Sequence, residues 1–520
     1  MTEVYREVEL KFSVEEGSEV PSLIELVGPR DDGVPLSQGD PTKQVLRATY
    51  FDSADLVLAR HGLTLRRRVG GADAGWHLKV PVSGAERTEI RLPPGRSASV
   101  VPTALQRLVR ARTAGQPLVP VAKVTTRRAV HRVVDPTGDA LLELADDRVS
   151  ARRVFPLAGP GDATGPEIAW RELEIETLDG DADGLAAVAA ELRSRGVVPA
   201  PHTSKLARIL ELDEHVAPAG RTKGKRPSAS SSTSRVVLAY VGDQLEQIRA
   251  QDLLVRLDVP GSVHRMRVAT RRLRSALATF RPTFASDAVG PLRDELTWLA
   301  GVLGTVRDAE VMHERVLDAV QGADAVLSPV AAEADAQLRS AYATAREAAL
   351  VELGTERYDR LLDDLEAFVL TPPTTQRGAR PAKKTLRRGV AKEYTRVRRL
   401  VKRAGSATDP EQRAELLHDA RKAAKRTRYA AELATDAFGR DARAFAAAME
   451  STQELLGQHQ DSVVLRQRLR QLAESTTDPV AAFTYGRLHA LEEIRGRDTE
   501  EQLPSVWAEA SRKRLRRWLR

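Results

Sequence analysis

The sequence predicts two domains of different fold class. The first is predicted as an α+β domain, an antiparallel eight-stranded β tunnel or barrel with flanking helices, and the second as an all-α helical bundle with an internal two-fold repeat. Three observations predict this: eight short alternating runs before residue 216, long amphipathic helical patterns after residue 235, and an element that occurs twice in the second half. A chain of 520 residues also exceeds what one core usually supports.

A segment without apolar periodicity separates the two halves. Residues 216–235 read VAPAGRTKGKRPSASSSTSR, a composition rich in Ser, Gly, Pro, Lys and Arg that is typical of a flexible linker. We therefore expect domains at residues 1–215 and 236–520. The two repeats of the second domain are expected at about 236–375 and 380–520.

Eight candidate strands account for most of the first domain. They are EVELKF, RATYFD, LTLRRRV, WHLKVPV, ERTEIRL, TTRRAVHRVV, ALLELADDRV and WRELEIETL. Short helical patterns occur at about 102–111 and 183–195. Because alternate residues of a strand share a face, the charged residues occupy one face of nearly every strand, and in several strands the other face is apolar.

The charged faces are expected to line the inside of the barrel. Parity aligns Glu7 with Glu9 and Lys11, Arg66 with Arg68, Arg87 with Glu89 and Arg91, Lys123 with Arg127, and Glu172 with Glu174 and Glu176. A solvated outer face is the alternative for any single strand, but eight such strands, with the apolar face outside under helices, favour a water-filled tunnel. Its carboxylates suit Mg²⁺ or Mn²⁺, and its Lys and Arg side chains suit phosphate oxygens.

In this order the strands resemble those of the CYTH family, the triphosphate tunnel metalloenzymes. Glu7, Glu9 and Lys11 meet the family's ExExK motif. The later pieces YFDSADLVLARHGLTLRRR, HLKVP, RTEIR, TRR, LADDRV, RELEIE and HTSKLARIL extend the resemblance over residues 3–212. The resemblance implies a metal-dependent hydrolase of inorganic triphosphate or a related polyphosphate.

The resemblance also implies which side chains form the site. Glu7, Glu9 and Lys11 are the implied catalytic residues, and the implied ligands of Mg²⁺ or Mn²⁺ are Glu7, Glu9, Asp146, Glu174 and Glu176. The register stays open, since Asp147 can replace Asp146 and Glu172 can shift the glutamate pair by one step. The implied substrate contacts are Lys11, Arg66, Arg68, Lys79, Arg87, Arg127 and Lys205, with Arg128 competing with Arg127.

The second half is predicted to consist of amphipathic helices that break at prolines. The expected breaks are Pro260, Pro282, Pro372, Pro373, Pro410, Pro479 and Pro504. This half also carries the basic bias, with 47 Lys and Arg against 40 Asp and Glu over residues 236–520. Residues 381–430 alone carry 16 against 5, which indicates an anionic partner.

A basic stripe recurs in both copies of the repeat. VHRMRVATRRLRSAL at 263–277 matches LHDARKAAKRTRYAA at 417–431, and LGTVRDAEVMHERV at 303–316 matches LGQHQDSVVLRQRL at 456–469. Each copy contains a His followed by Lys or Arg at positions +3, +7, +8 and +10, counted from the His. All of these except the +8 residue fall within an arc of about 80° on a helix. A solvated helix face is the alternative for one copy, and recurrence with intact spacing favours one cationic groove between the copies.

The repeated HxxRxxxRRxR element resembles the CHAD domain, named for conserved histidines in a helical domain, over about residues 234–518. The resemblance implies binding of inorganic polyphosphate and association with polyphosphate granules. The implied contacts are His264, Arg267, Arg271, Arg274, His418, Arg421, Lys422, Lys425 and Arg428, with Arg388 and Lys392 as weaker candidates. The terminal SRKRLRRWLR is either a further contact or an exposed basic tail.

Composition narrows the function classes further. The absence of cysteine excludes disulfides, thiolate metal sites and cysteine nucleophiles, and 4% aromatic residues leave little material for base stacking. The charged start MTEVYREVELKF and the lack of a long apolar run predict a cytoplasmic protein without a membrane partner. The lack of a helix-turn-helix pattern and of aromatic residues between the bases predicts no nucleic-acid partner. The alternatives to triphosphate hydrolysis are a non-catalytic polyphosphate-binding protein and a CYTH-type adenylyl cyclase or thiamine triphosphatase.

Overall fold

The computed structural model describes residues 3–28, 35–83, 86–95, 97–154, 165–177, 182–212, 226–321 and 328–520. The chain divides into two compact units, Met1–Ala219 and Gly220–Arg520. Of the linker expected at 216–235, residues 216–225 lie outside the described residues, and a helix begins at Thr233.

The described residues of the first unit form ten strands and five short helices. The strands are β1 (Glu3–Val14), β2 (Ser37–Gln38), β3 (Thr42–Asp52), β4 (Thr64–Val69), β5 (Gly75–Ser83), β6 (Glu86–Leu92), β7 (Val119–Val134), β8 (Ala140–Arg153), β9 (Glu167–Thr177) and β10 (Val198–Pro199). The helices are α1 (Leu23–Val27), α2 (Val57–Arg60), α3 (Thr103–Thr113), α4 (Ala182–Ser194) and α5 (Lys205–Ile209). All eight expected strands and both expected helices are present.

Eight of these strands close into an antiparallel barrel. Their order is β1, β6, β5, β4, β3, β7, β8, β9, and β9 pairs back onto β1. The pairs Glu7↔Arg87 and Glu9↔Glu176 place β1 between β6 and β9. The predicted fold class of this unit is therefore confirmed.

Apolar side chains on the outer face of the barrel pack under helices. Phe12, Leu173 and Ile175 from β1 and β9 form one core with α1 and α4. Burying this face outside leaves the alternate, charged residues of the same strands facing inward. The cover is incomplete on β7, where Lys123 and Arg127 are exposed on the outer face.

One end of the barrel interior is filled by apolar residues. Val124, Val149 and Trp170, from β7, β8 and β9, cluster with Leu206 and Ile209 of α5. The Ser204 hydroxyl caps α5 by accepting a hydrogen bond of 3.0 Å from the amide of Ala207. Lys205 therefore begins a helix that is packed against this apolar end.

The second unit is helical throughout its described residues. Its helices are α6 (Thr233–Arg256), α7 (Ser262–Thr279), α8 (Ser286–Gln321), α9 (Ser328–Glu352), α10 (Glu356–Leu370), α11 (Gln376–Ala379), α12 (Ala382–Ser406), α13 (Pro410–Leu433), α14 (Thr435–Ser475) and α15 (Pro479–Ala510). Short 3₁₀ segments lie at Arg281–Thr283, between α7 and α8, and at Lys513–Leu519, after α15. None of the described helices is both long and apolar enough to span a membrane.

The two repeats appear as two series of four consecutive antiparallel helices. Helices α6 to α9 pack in sequence, as do α12 to α15, and α7 contacts α13 while α6 contacts α12. One expected break is wrong: Pro504 lies inside α15, which continues to Ala510. Pro291 likewise lies inside α8. Both prolines lie beyond the first turn of their helices, so each removes one backbone hydrogen bond without ending the helix.

Candidate functional site

The inner face of the eight barrel strands, termed the tunnel, collects charged side chains of both signs. Lys11 on β1 lies opposite Glu174 on β9, and their ammonium and carboxylate form an ion pair. Lys79 on β5 lies 2.5 Å from Glu7 and 3.8 Å from Glu9. Strand pairing therefore brings residues far apart in the sequence into one network.

An acidic triad, Asp147, Glu172 and Glu174, lies beside the apolar end of the tunnel. One oxygen from each of its carboxylates lies within 4.8 Å of the others, a geometry that can hold a metal ion. The ammonium of Lys205 lies among them, 2.8 Å from Asp147, 2.8 Å from Glu172 and 2.7 Å from Glu174. Arg128 also pairs with Asp147, at 2.7 Å, and with Glu174.

Nearby cations keep two members of the triad ionised. Burial would raise the pKa of Asp147 and Glu174, but the attraction of their cations outweighs it. Lys205 and Arg128 lower the pKa of Asp147, and Lys11, Lys205 and Arg128 hold that of Glu174 well below its usual range. The triad is thus largely neutralised by the protein's own side chains.

A second acidic group, formed by Glu7, Glu9 and Glu176, is not neutralised to the same degree. Burial raises the pKa of Glu176 to about 7, with Glu7 and Glu9 adding to the effect and Lys79 opposing it. Burial and Glu9 also raise the pKa of Glu7, whose Oε2 is a buried acceptor without a hydrogen-bond partner among the described residues. Glu9 remains ionised, with a pKa of about 2, because Lys11, Lys79 and Arg87 outweigh its burial.

An opposite imbalance lies around Arg66 and Arg68 on β4. Burial, together with repulsion from Arg66 and Arg128, lowers the pKa of Arg68 to about 9. The Nε atoms of Arg66 and Arg68 are buried donors without an acceptor among the described residues. Positive charge is therefore in excess here, although Arg68 pairs with Asp73 and Arg66 lies 4.0 Å from Glu89.

His77 and Glu89 support this basic region from inside the tunnel. The imidazole Nδ1 of His77 lies 2.9 Å from Glu89, and its Nε2 lies 2.8 Å from the carbonyl of Asp73. Burial lowers the pKa of His77 to about 4, so the ring is neutral at pH 7. Glu89 also accepts a hydrogen bond of 2.6 Å from Arg91. The sequence alone assigned no role to His77. Its position between the apolar residues Trp76 and Leu78 of an alternating strand could have indicated that its side chain faces the tunnel.

Strand register decides between Asp146 and Asp147, whereas Glu172, Glu174 and Glu176 all share the inward face. Asp147 pairs with Glu172 and faces the tunnel, whereas Asp146 pairs with Leu173 and faces outward. There Asp146 accepts two hydrogen bonds, of 2.8 and 3.0 Å, from Arg171. Arg171 also donates to three backbone carbonyls of the turn after β1, so this pair fastens a turn outside the tunnel.

The same register corrects the basic contacts expected on β7. Arg128 lies opposite Asp147 and faces the tunnel, while Arg127 lies opposite Arg148 on the outer face. Lys123, four residues before Arg127 on β7, is exposed on that outer face as well. The remaining expected tunnel residues face inward: Glu7, Glu9, Lys11, Arg66, Arg68, Lys79, Arg87, Glu174, Glu176 and, from α5, Lys205.

The basic stripes of the helical unit lie on α7 and α13, which pack against each other. Lys425 on α13 has its pKa lowered to about 7 by burial and by Arg271, Arg421 and Arg267. Burial likewise lowers the pKa of Arg267, and Arg271 and Arg421 add to this effect against Asp308. Cations from both repeats thus share one region, termed the groove.

Corresponding positions of the two repeats have matching surroundings in the groove. Arg267 lies 3.4 Å from Asp308, and Arg421 lies 4.0 Å from Asp461. A Cβ added at Gly304 would lie 3.6 Å from the guanidinium of Arg267, and one at Gly457 would lie 3.6 Å from that of Arg421. Both glycines of the repeated LG pair therefore lie directly beside a stripe arginine.

The stripes differ at their far ends. Arg428 lies 2.8 Å from Glu432 and 2.6 Å from Glu450, so its charge is already engaged. Its counterpart Arg274 has no carboxylate partner among the described residues, and burial and Arg271 lower its pKa. Lys422 is exposed, 3.3 Å from Asp419.

The histidines and the +8 residues complete the repeated elements. His264 is exposed and His418 partly buried at the starts of the stripes. Burial and neighbouring cations, Arg307 for His264 and Lys422 for His418, lower the pKa of both imidazoles. The +8 residues lie off the groove as expected, since Arg272 pairs with Glu432 and Arg426 with Glu393.

Comparison with known proteins places these two sites in families. Residues 5–210 match the CYTH domain and residues 239–470 match the CHAD domain. Uncharacterized proteins from two strains of Mycobacterium tuberculosis are each 38% identical over 514 residues, which cover 96% of this chain and 95% of the relative.

Two solved structures resemble parts of the chain. The CHAD domain from the plant Ricinus communis is 29% identical over 55% of this chain and 96% of its own, with a TM-score of 0.44. PptA from Streptomyces chartreusis is 21% identical over 54% of this chain and 100% of its own, with a TM-score of 0.45. Together with the family matches and the full-length relatives, the barrel and the repeated helices show that the chain belongs to the family of proteins in which a CYTH domain is followed by a CHAD domain.

Proposed function

We propose that the tunnel binds inorganic triphosphate or a related polyphosphate and hydrolyses it with Mg²⁺ or Mn²⁺, and that the groove of the helical unit binds polyphosphate. The observation that carries the first part is the pair of opposite charge imbalances inside one tunnel. A site for a metal-bound phosphate chain needs both, because carboxylates alone repel phosphate and bases alone do not hold a divalent cation.

The cation side is the group of Glu7, Glu9 and Glu176. Burial and neighbouring carboxylates raise the pKa of Glu7 and Glu176, and together with the unpartnered Oε2 of Glu7 this indicates negative charge that the neighbouring bases do not fully neutralise. Hard carboxylate oxygens are the ligands that Mg²⁺ and Mn²⁺ prefer, so these residues fit the ion. Glu174 and Asp147 are further candidate ligands from the triad. When bound, the ion supplies charge neutralisation at phosphate oxygens and orientation of the attacking water.

The phosphate side is the group of Arg66, Arg68 and Arg128. Burial, and then repulsion from Arg66 and Arg128, lower the pKa of Arg68, and a phosphate group among them would stabilise its charged form. The free Nε donors of Arg66 and Arg68 offer bidentate binding to phosphate oxygens. Lys11, 3.2 Å from Glu9 and paired with Glu174, lies at the boundary of the two acidic groups, where it would contact the phosphate next to the ion.

The experiment is phosphate release by the full-length chain. Triphosphate, ATP, thiamine triphosphate and long polyphosphate are each supplied with Mg²⁺ or Mn²⁺, and we expect inorganic triphosphate to be turned over fastest. Glu7→Gln and Glu9→Gln should abolish turnover while leaving the fold intact. The control is Glu167→Gln, an exposed carboxylate on the same strand as Glu176. Undiminished turnover in both tunnel variants would refute the proposed cation side.

A non-catalytic tunnel is the second candidate function. The ammonium of Lys205 among the triad carboxylates favours it, because it lies where a cation bound to the triad would lie. This candidate predicts tight triphosphate binding without phosphate release under every metal condition.

The groove carries the second part of the proposal. The groove contains four cations from two helices: Arg267, Arg271, Arg421 and Lys425. Besides burial, Arg271 and Arg421 lower the pKa of both Arg267 and Lys425. An extended polyanion bound there would stabilise these crowded charges. Reversing Arg267 and Arg271 to Glu, or Arg421 and Lys425 to Glu, should each weaken polyphosphate binding. If neither pair matters, the groove is not the binding site.

A further inference from the structure

A second basic surface lies on α12, outside the groove. This helix carries ten Lys and Arg against one acidic residue, Glu393, and nine of the ten bases are exposed. None of the nine has a carboxylate within ion-pair distance in the described part of the chain, because Glu393 faces Arg426 of α13 at 3.4 Å. The exposed bases are therefore not balanced by the protein itself.

The bases form a continuous face along the helix. Lys384, Arg388, Lys392, Arg399 and Lys402, termed the α12 surface, fall within an arc of about 80° at 100° per residue, and they span about 27 Å along the helix axis. The opposite face is fully used by the core, where Leu386, Val390 and Val397 are completely buried. The charge thus lies on the one face of α12 that packing leaves free.

Neither packing nor symmetry explains this surface. Helix α6 precedes the repeated element in the first repeat as α12 does in the second, yet it carries three basic and three acidic residues. A helix in this position therefore packs without excess charge. The basic face is specific to the second repeat.

The C-terminal segment extends the α12 surface. Trp518 is buried against Phe438 and Phe445 of α14, at ring-centroid distances of 5.0 and 6.1 Å. Arg387 of α12 donates a 2.7 Å hydrogen bond to the main-chain oxygen of Arg520. The segment is therefore held beside α12 rather than extended as a free tail, and it adds the exposed bases Lys513, Arg514 and Arg517.

The surface chemistry favours a ligand made of phosphates alone. No large apolar or aromatic side chain is exposed on α12 or the C-terminal segment, so neither base stacking nor insertion into a bilayer is supported. Helix α12 is flanked by α6, α13 and the C-terminal segment, so its outer face is the part that is open to a ligand. A flexible polyanion can lie along the outer face.

We propose that the α12 surface binds a second segment of the long polyphosphate chain held in the groove. This inference rests on the proposed function of the groove. Once one segment is bound, the rest of the same chain is present at high local concentration, and a second contact raises overall affinity without a new ligand. Chain-length preference then resides in α12, whereas the groove alone sets the affinity for short chains.

The test compares a short oligophosphate with long-chain polyphosphate on the full-length protein. The α12 variant combines Lys384→Glu, Arg399→Glu and Lys402→Glu. Its matched control combines Arg468→Glu, Arg470→Glu and Arg487→Glu, three exposed arginines of α14 and α15 with the same change in charge. The α12 variant should bind long chains about tenfold or more weakly, because two-site binding gains on the order of 10². The slope of the logarithm of its binding constant against the logarithm of salt concentration should be shallower by about two. Three contacts are lost, and about 0.7 counterions are released per contact on a single strand.

Each outcome has a distinct meaning. The proposal is overturned if the α12 variant and its control lose equal affinity for long chains. It is also overturned if the α12 variant loses equal affinity for short and long chains. DNA binding that the α12 variant abolishes while long-chain polyphosphate affinity is retained would assign the surface to nucleic acid and overturn the proposal. The groove variant Arg267→Glu with Arg271→Glu tests the proposed function separately, because it should weaken both ligands. A triple Gln variant of the α12 residues, with circular dichroism, distinguishes lost charge from lost folding.

Discussion

Replacing Lys205 with methionine is expected to destabilise the barrel strongly. Methionine keeps the apolar stem of the side chain and removes only the ammonium, which lies 2.7 to 2.8 Å from three carboxylates. Removing one partner of a buried ion pair costs about 3 to 5 kcal/mol, and the lower end applies here because Arg128 and Lys11 remain. For a unit of this size, about 3 kcal/mol corresponds to a fall in Tm of roughly 6 to 12 °C.

Calorimetry of the full-length chain measures this effect, with Lys123→Met as the matched control. Lys123 is exposed on the outer face of the same barrel, so its replacement should change stability by less than about 0.5 kcal/mol.

The dependence of stability on pH gives an independent test of the same ion pairs. In the wild type the lowered pKa values of Asp147 and Glu174 contribute stability above their unfolded pKa and lose it as pH falls. Removing the ammonium lets the two pKa values rise towards their unfolded values. The difference in the free energy of unfolding between wild type and variant should therefore become smaller from pH 7 towards about pH 4. A Tm for Lys205→Met equal to that of Lys123→Met would refute the view that this ammonium neutralises the triad.

Four further predictions follow from the two sites. The affinity for Mg²⁺ or Mn²⁺ should fall as pH falls through about 7, where Glu176 gains its proton, and calorimetric titration of Glu176→Gln should show a flatter profile. Arg128→Ala should weaken triphosphate binding by about 1.5 to 3 kcal/mol, as expected for a charged hydrogen bond, whereas Arg127→Ala should leave the measured Kd nearly unchanged. Long-chain polyphosphate should bind more tightly as pH falls through about 7, because Lys425 gains its charge there, and Lys425→Arg should remove this dependence in a binding assay at pH 6 and 8. Limited proteolysis should cut first within residues 216–235, and dominant early cleavage elsewhere would contradict the proposed domain boundary.

Strand periodicity was sufficient to predict most of the tunnel, but not its register at adjacent like residues. Glu7, Glu9 and Lys11 alternate with apolar neighbours, so their common face could be read directly. Asp146 and Asp147 are both acidic, and Arg127 and Arg128 are both basic, so parity alone could not choose between them. The pairing of β8 with β9, which places Asp147 opposite Glu172, decides the first case, and the pairing of β7 with β8 decides the second.

Compensation between charges was the second property that the sequence could not reveal. The motif HTSKLARIL predicted that Lys205 belongs to the tunnel, but not that its ammonium lies among three carboxylates. Arg428 matches the repeated stripe by spacing, yet Glu432 and Glu450 engage its charge. These contacts depend on helix and strand packing over long sequence separations. The off-stripe position of the +8 residues follows from helical geometry alone, and it was predicted correctly.

The closure of the barrel by β1 and β9 has a consequence for how the chain folds during synthesis. The first strand pairs with the last strand of the barrel, and the ammonium that neutralises the triad comes later still, from Lys205. Such distant contacts bear a large loop-closure cost before they stabilise anything, so the tunnel is expected to form late and slowly. Until then the charged faces of the early strands stay hydrated, which protects the emerging chain from pairing its unfinished sheet with another copy. The charges that we assign to substrate and metal would thus also keep the nascent domain soluble until its final helix is made.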